Sequence, residues 1–418
     1  MTGTPRETSR RKWRFVPLLA ALGPGIIAAS AGNDAGGIAT YSAAGASYGY
    51  ATLWMIFVMT FSLVVVQEMA ARMGAVTGKG FAALIRERFG IRPTIFAMAC
   101  LLASNAATSV AEFAGIAASL QLFGVSKFIS VPIAAAVVWL LVVRGSYRKV
   151  ELMLLALSSV FLAYVIAAFM AKPDWSVVLK ATVVPTFIPS AAFILIVIAT
   201  IGTTIAPWMQ FFVQSNIVDK GVTAQELPYQ RIDVIGGAVA ANIIAWFIIV
   251  TTGTVLYPRH IPAASAQQAA LALAPVAGQY ATVLFAIGLF GASLLAAFVL
   301  PLTAAYAVTE AFGFERGIDR SWTEAPVFVG IYTFVIVFGA VLVLIPNAPL
   351  ITIMVMSQAV NGVLLPFLLI FMMIIVNDAR IMGRYTNGHA YNFVGWTTVT
   401  VVIGLTVALL GFMAVGVA

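Results

Sequence analysis

Runs of about twenty apolar residues recur along this 418-residue chain, with short polar segments between them. About 20 helical residues cross the hydrocarbon core of a bilayer. Backbone in that core must satisfy its own hydrogen bonds, so such a pattern folds as a bundle of transmembrane helices. We expect eleven spans, at 16–47, 48–72, 94–122, 128–143, 149–171, 188–218, 232–257, 277–311, 326–345, 348–376 and 394–417. Only 9% of the residues are charged, against about 25% in a soluble protein, and mean hydropathy is +1.02.

The net charge of +8 sits between the spans, where it acts as an orientation signal and gives no reason to expect nucleic acid. With the N-terminus inside, nineteen of the 23 Lys and Arg fall on the inner side. Lys127, Lys172, Lys180 and Arg259 fall outside. This bias predicts a multi-pass plasma (inner) membrane protein with a cytoplasmic N-terminus and its C-terminus outside. The first apolar run is too long for a signal-peptide core. Cys100 is the sole cysteine, which excludes an intramolecular disulfide and a cysteine-based metal site. The expected partners are the bilayer and a small cation, with no cofactor and no obligate protein partner.

Two spans are interrupted. The first holds Ala31-Gly32-Asn33-Asp34-Ala35-Gly36-Gly37, where Asp34 is the only charged side chain between Phe15 and Ser47. A carboxylate at membrane depth is costly and marks an ion or proton pathway. The sixth holds Gly202-Thr203-Thr204-Ile205-Ala206-Pro207-Trp208, where Pro207 removes a backbone donor. Broken helices five spans apart point to inverted repeats with a site at the midplane. We therefore expect one membrane domain over 1–418, with a first five-helix repeat at 16–171, an inverted second at 188–376, and an added helix at 394–417.

Asp34 suits a hard divalent cation. Carbonyls freed at Ala31 and Thr203 are candidate neutral ligands. Gln358, with Asn361 one turn on, is either a contact to the ion or its water, or polar glue between helices. Asn242 is weighed the same way. Glu112, deep in the third span beside Thr108 and Ser109, is either a proton carrier or a structural acid. Glu68, one turn before Arg72, reads as an interfacial ion pair. No histidine lies in a span, and no hydrolase, zincin or phosphate-loop motif is present, so an enzyme is not expected.

Several of these segments match one family. Gly23-Pro24-Gly25, Asp34-Ala35-Gly36-Gly37 and Ala43-Ala44-Gly45-Ala46-Ser47-Tyr48-Gly49-Tyr50 resemble the first helix of Nramp divalent-metal transporters, with its GPG, DPGN and AGASFGY patterns. The run from Val66 to Lys79 resembles their second helix, and Ser357-Gln358, Leu365-Pro366-Phe367 and Met382-Gly383 their tenth and the loop after it. The resemblance spans the chain and implies an all-α LeuT-like 5+5 inverted repeat.

The departures carry equal information. The family asparagine becomes Gly37, and its Met-Pro-His becomes Ala206-Pro207-Trp208. The acid pair of the third helix keeps Glu112 but has Ser109 for its aspartate, and the ninth-helix arginines are missing. Losing a thioether at Ala206 lowers preference for transition metals. Losing the asparagine opens volume for an ion that retains water, as Mg²⁺ prefers. These changes resemble the Nramp-related magnesium transporters. The resemblance implies Mg²⁺ transport, with Mn²⁺ also carried and proton coupling weak or absent. Asp34 would be the main ligand, Gly37 and Ala206 would shape an enlarged cavity, and Trp208 would wall the pathway. The competing readings are a proton-coupled Mn²⁺/Fe²⁺ transporter of the ordinary family type and a sodium-coupled amino-acid symporter of the same fold.

Overall fold

The computed structural model describes residues 32–143, 159–315 and 323–414. Those residues form helices and connecting turns, with no strand among them. Helices of nine residues or more are α1 (Ala35–Tyr48), α2 (Leu53–Thr77), α3 (Phe81–Phe89), α4 (Ile91–Gln121), α5 (Lys127–Val143), α6 (Ala163–Ala171) and α7 (Trp175–Val183). They continue as α8 (Ala191–Thr204), α9 (Pro207–Asp219), α10 (Leu227–Val255), α11 (Ala281–Phe312), α12 (Pro326–Val343), α13 (Leu350–Val376) and α14 (His389–Ala414).

Every expected span has its helix. Eight helical stretches among the described residues are long and apolar enough to cross a bilayer, and α5 is a shorter apolar one. The first and fifth spans are described in part, by α1 and α6. The second span runs later than expected, because Gly49 at φ +57° ends α1 and Gly78 at φ +64° ends α2. Glycine takes that left-handed conformation without steric cost. The polar residues Gln67, Glu68 and Arg72 are thereby drawn inside α2, where all three are buried.

Two helices fall in segments expected to be loops. With nine residues each, α3 and α7 are too short to cross a bilayer. In α3, Phe81, Ala82, Leu84 and Ile85 are buried while Arg86, Glu87 and Arg88 are exposed, the pattern of a helix lying along an interface. Large apolar side chains such as Phe57, Phe61, Ile129, Ile133 and Val337 are exposed on the outer faces of the spans, where lipid would cover them.

The packing follows the repeat symmetry. The second and seventh spans pair as α2 and α10, and the third and eighth as α4 and α11. Close backbone approaches lock the bundle. A Cβ on Gly202 of α8 would collide with the Gln358 carbonyl and the Gly362 amide of α13. A Cβ on Gly45 of α1 would collide with Thr252 Oγ1 and lie 2.7 Å from the Ile249 carbonyl, both on α10. Beyond the end of α1, Tyr50 and Thr254 share a hydroxyl hydrogen bond of 2.8 Å.

Segments expected to share a side of the membrane are joined to one another. Buried Glu68 pairs with Arg72 at 3.1 Å and with Arg231, just inside α10, at 2.7 Å. Arg72 also donates to the Tyr385 carbonyl at 2.6 Å and to the Asn387 side chain, between α13 and α14. Arg88 reaches Asp378 at 2.6 Å. On the opposite side, Lys127 donates to the Val343 and Ile345 carbonyls at 2.9 and 2.6 Å, satisfying the C-terminal end of α12.

Overpacking a close backbone contact costs about 1–3 kcal/mol. Gly202→Ala should therefore lower the thermal stability of the purified protein, as read by a melting curve in detergent. An unshifted midpoint would mean that the α8–α13 contact tolerates separation.

Candidate ion-binding site

The site is built where two helices start late. At the first break, Asn33 and Asp34 lie outside the helical conformation and α1 begins at Ala35. Asp34 is the N-cap: its Oδ1 accepts from the Gly37 amide at 2.7 Å, satisfying one of the donors a helix start leaves unpaired. At the second break, Ile205 and Ala206 separate α8 from α9. Ala206 is extended, at φ −62° and ψ 138°, and Pro207 takes the first position of α9. Pro207 has no N–H, so the Thr203 carbonyl has no helical partner four residues on. The expectation of a freed carbonyl at Thr203 thus has a covalent cause. Ala31 lies outside the described residues.

Oxygens converge at Gly37. A Cβ there would sit 2.9 Å from Thr203 Oγ1, 3.1 Å from the Gly32 carbonyl and 3.4 Å from Asp34 Oδ1. Glycine is what lets a hydroxyl, a carbonyl and a carboxylate approach the same point. Thr203 Oγ1 is buried and has no hydrogen-bond partner. An unsatisfied buried hydroxyl is costly, and this one faces the oxygen cluster at Gly37.

Glu112 is brought to the same break. Its Oε2 accepts from the Ala35 amide at 3.3 Å, which brings its carboxyl to the residue next to Asp34. Gly115, one turn on, abuts Ala35 and Ser293, which fixes α4 against the start of α1. Two carboxyl groups brought to one break suit a shared proton or a shared cation.

Gln358 reaches the site from α13, fully buried and pressed against Gly36. Its Oε1 accepts from Asn361 Nδ2 at 2.8 Å, and Asn361 also bonds Ser104 and Thr108 of α4. In this conformation the amide oxygen serves that network, and the nitrogen faces Gly36. Trp208 is fully buried in α9, with Phe212 edge-on at 5.8 Å.

A cavity of about 10 Å³ lies beside the breaks, walled by Gly32, Asn33, Gln67, Thr203, Met209 and Asn242 among others. That is room for about one water-sized particle. Neither Gly37, Ala206 nor Trp208 lines it. Asn242 both lines it and donates to Thr60 at 3.0 Å, tying α10 to α2. The sequence reading passed over Gln67 and Met209. Met209 is three residues past Ala206, in the first turn of α9, a spacing that the sequence already shows. Among the described residues no three His, Cys, Asp or Glu side chains gather, so an ion here would be held mainly by hydroxyl, amide and carbonyl oxygens around one or two carboxyls.

Residues 25–411 match the family model described as natural resistance-associated macrophage protein-like, Nramp. The chain belongs to the Nramp family. It is accordingly a membrane transporter and not an enzyme. Relatives include the divalent metal cation transporter MntH of Erwinia tasmaniensis, 30% identical over 97% of this chain and 96% of that one. MntH of Verminephrobacter eiseniae is 29% identical over 88% and 84%. Among solved structures, an Eremococcus coleocola manganese transporter superposes with a TM-score of 0.77 at 22% identity, over 94% of this chain and 86% of that one. MhsT in complex with L-phenylalanine superposes at 0.58 and 14% identity, over 92% and 97%, which extends the likeness to the broader LeuT-like fold.

Thr203→Val removes the unpartnered hydroxyl at nearly constant volume. Because that oxygen makes no hydrogen bond, thermal stability should hold or rise, by up to about 1 kcal/mol, while divalent-ion binding by titration calorimetry weakens. A loss of stability instead would show that the hydroxyl is structural.

Proposed function

We propose that this Nramp protein carries divalent cations into the cell by alternating access, with Mg²⁺ as a substrate and Mn²⁺ as a second one, and with proton coupling weak or absent. The transport of divalent metals is what its MntH relatives are named for. The observation that carries the magnesium reading is the oxygen cluster at Gly37: hydroxyl, carbonyl and carboxylate oxygens meet where the family pattern has an asparagine side chain. Hard oxygen donors with one carboxylate suit Mg²⁺, which prefers few protein ligands and retains water. Opening of the small cavity beside it would then admit the ion with part of its hydration shell.

Asp34 is the main ligand in this reading, with the Thr203 and Ala31 carbonyls as neutral donors or water acceptors. Gln358 contacts the water shell once Asn361 releases its oxygen. Gly37 and Ala206 provide room, and Trp208 walls the route. Alternating access in this reading moves helices drawn from both repeats, 16–171 and 188–376, about this point. Nineteen basic residues on one side support a cytoplasmic N-terminus and a plasma-membrane location. An inside-negative potential then favours entry of a divalent ion by about 4.6 kcal/mol per 100 mV without any coupled ion.

One observation favours the ordinary proton-coupled reading. Glu112 is retained and accepts from the Ala35 amide, so a second acid adjoins the site. The chain of titratable groups goes no further along α12, whose residues are all uncharged.

Uptake into proteoliposomes under a set inside-negative potential, with a luminal pH dye, separates the two. Mg²⁺ should enter without acidifying the lumen, and Asp34→Ala should abolish entry. Mn²⁺ entry with acidification, and no Mg²⁺ entry, would overturn the proposal in favour of the proton-coupled alternative.

A further inference from the structure

The thioether absent at Ala206 is present three residues on, in the first turn of α9. Met209 is the third residue of α9, and its amide donates to the Ala206 carbonyl at 3.1 Å, which places the two residues in one turn. Its side chain is buried and points back across the break toward the first broken helix. Gly32 faces it: a Cβ at that position would collide with Met209 Cε and lie 3.8 Å from Sδ. On the third side, Gln67 Nε2 lies 3.8 Å from the sulfur.

The surroundings hold two oxygens with no protein partner. Gln67 Oε1 and Thr203 Oγ1 are both buried, both unbonded, and both belong to residues walling the same cavity as Met209. Other polar groups there are spoken for: Tyr41 bonds Thr204 at 3.0 Å, and Asn242 bonds Thr60. Thr203 Oγ1 also flanks the Gly37 point where Asp34 Oδ1 and the Gly32 carbonyl meet. One hydroxyl is therefore shared by the carboxylate cluster and the sulfur-bearing cavity.

We propose that Met209, with Gln67 and Thr203, forms a mixed sulfur–oxygen subsite that takes a borderline or soft divalent cation, so that the chain keeps an affinity for such ions beside Mg²⁺. The inference rests on the proposed cation transport. A thioether discriminates against Mg²⁺, whereas the oxygens accept either ion. Gly32 is glycine for the same reason, since any side chain there would displace the sulfur. Selectivity in this protein is then set three residues past the position where the family pattern has its methionine.

Cd²⁺ is the probe, bound to the purified full-length protein in a Cys100→Ala background so that any sulfur seen is a thioether. X-ray absorption at the cadmium edge should show a sulfur neighbour that disappears in Met209→Leu and in Met209→Gln. The ratio of Cd²⁺ to Mg²⁺ affinity should fall about 10-fold or more in both variants, with Met209→Gln supplying an oxygen of similar reach to keep the fold and the Mg²⁺ site. A spectrum without sulfur, or an equal loss of both ions in both variants, would overturn the proposal. A protein that binds Cd²⁺ with sulfur but transports no Mg²⁺ would defeat the magnesium reading and leave the Met209 subsite standing.

Discussion

A backbone amide or carbonyl without a partner costs several kcal/mol in hydrocarbon, and this chain interrupts two helices there. Everything at the site answers that cost. Asp34 is spent in part on capping α1 through the Gly37 amide. Glu112 takes the Ala35 amide. Pro207 begins α9 without an amide needing a partner, and in doing so leaves the Thr203 carbonyl with none along the helix. The carboxylate is thus both a structural cap and the chief charge of the site. The two roles are compatible because a carboxylate has two oxygens and several lone pairs.

The closeness of the helices follows from small residues at chosen points. Gly202 and Gly362 let α8 and α13 touch backbone to backbone, Gly115 seats α4 on α1, and Gly36 receives the Gln358 amide. Within a membrane, apolar side chains gain little by leaving lipid for protein, so close packing of this kind and polar contacts hold the helices together. The Ser104–Asn361–Gln358 chain and Thr108 supply those polar contacts between α4 and α13. They also explain why the Gln358 oxygen turns away from Asp34: Asn361 offers it a donor closer at hand.

Much of this was legible in the sequence because the signals are strong and local. A lone aspartate among glycines and a proline in an apolar run locate the breaks without reference to the rest of the chain. The Glu68–Arg72 pair follows from a four-residue spacing. What escaped has a physical reason in each case. Nine-residue helices such as α3 and α7 fall below the length that a span template detects. The helix α2 runs past the expected end at 72 because Glu68 and Arg72, charges that resemble a membrane boundary, pair with each other inside it. The contact of Met209 with Gly32 joins residues far apart in the chain, and only the folded geometry reveals which face of α9 turns toward the first break.

The hold of α10 on α1 bears on how the molecule moves. Gly45 lies against the Thr252 hydroxyl and the Ile249 carbonyl, and the Tyr50–Thr254 bond follows just past the helix end. To swing by itself, α1 would have to give up the close packing at Gly45 and the Tyr50–Thr254 bond. The inexpensive motion is one in which α1 and α10 travel as a single beam and slide along α13 and α8. Under that motion the Asp34 cap keeps its shape, because the Asp34 carboxylate and the Gly37 amide belong to one rigid piece.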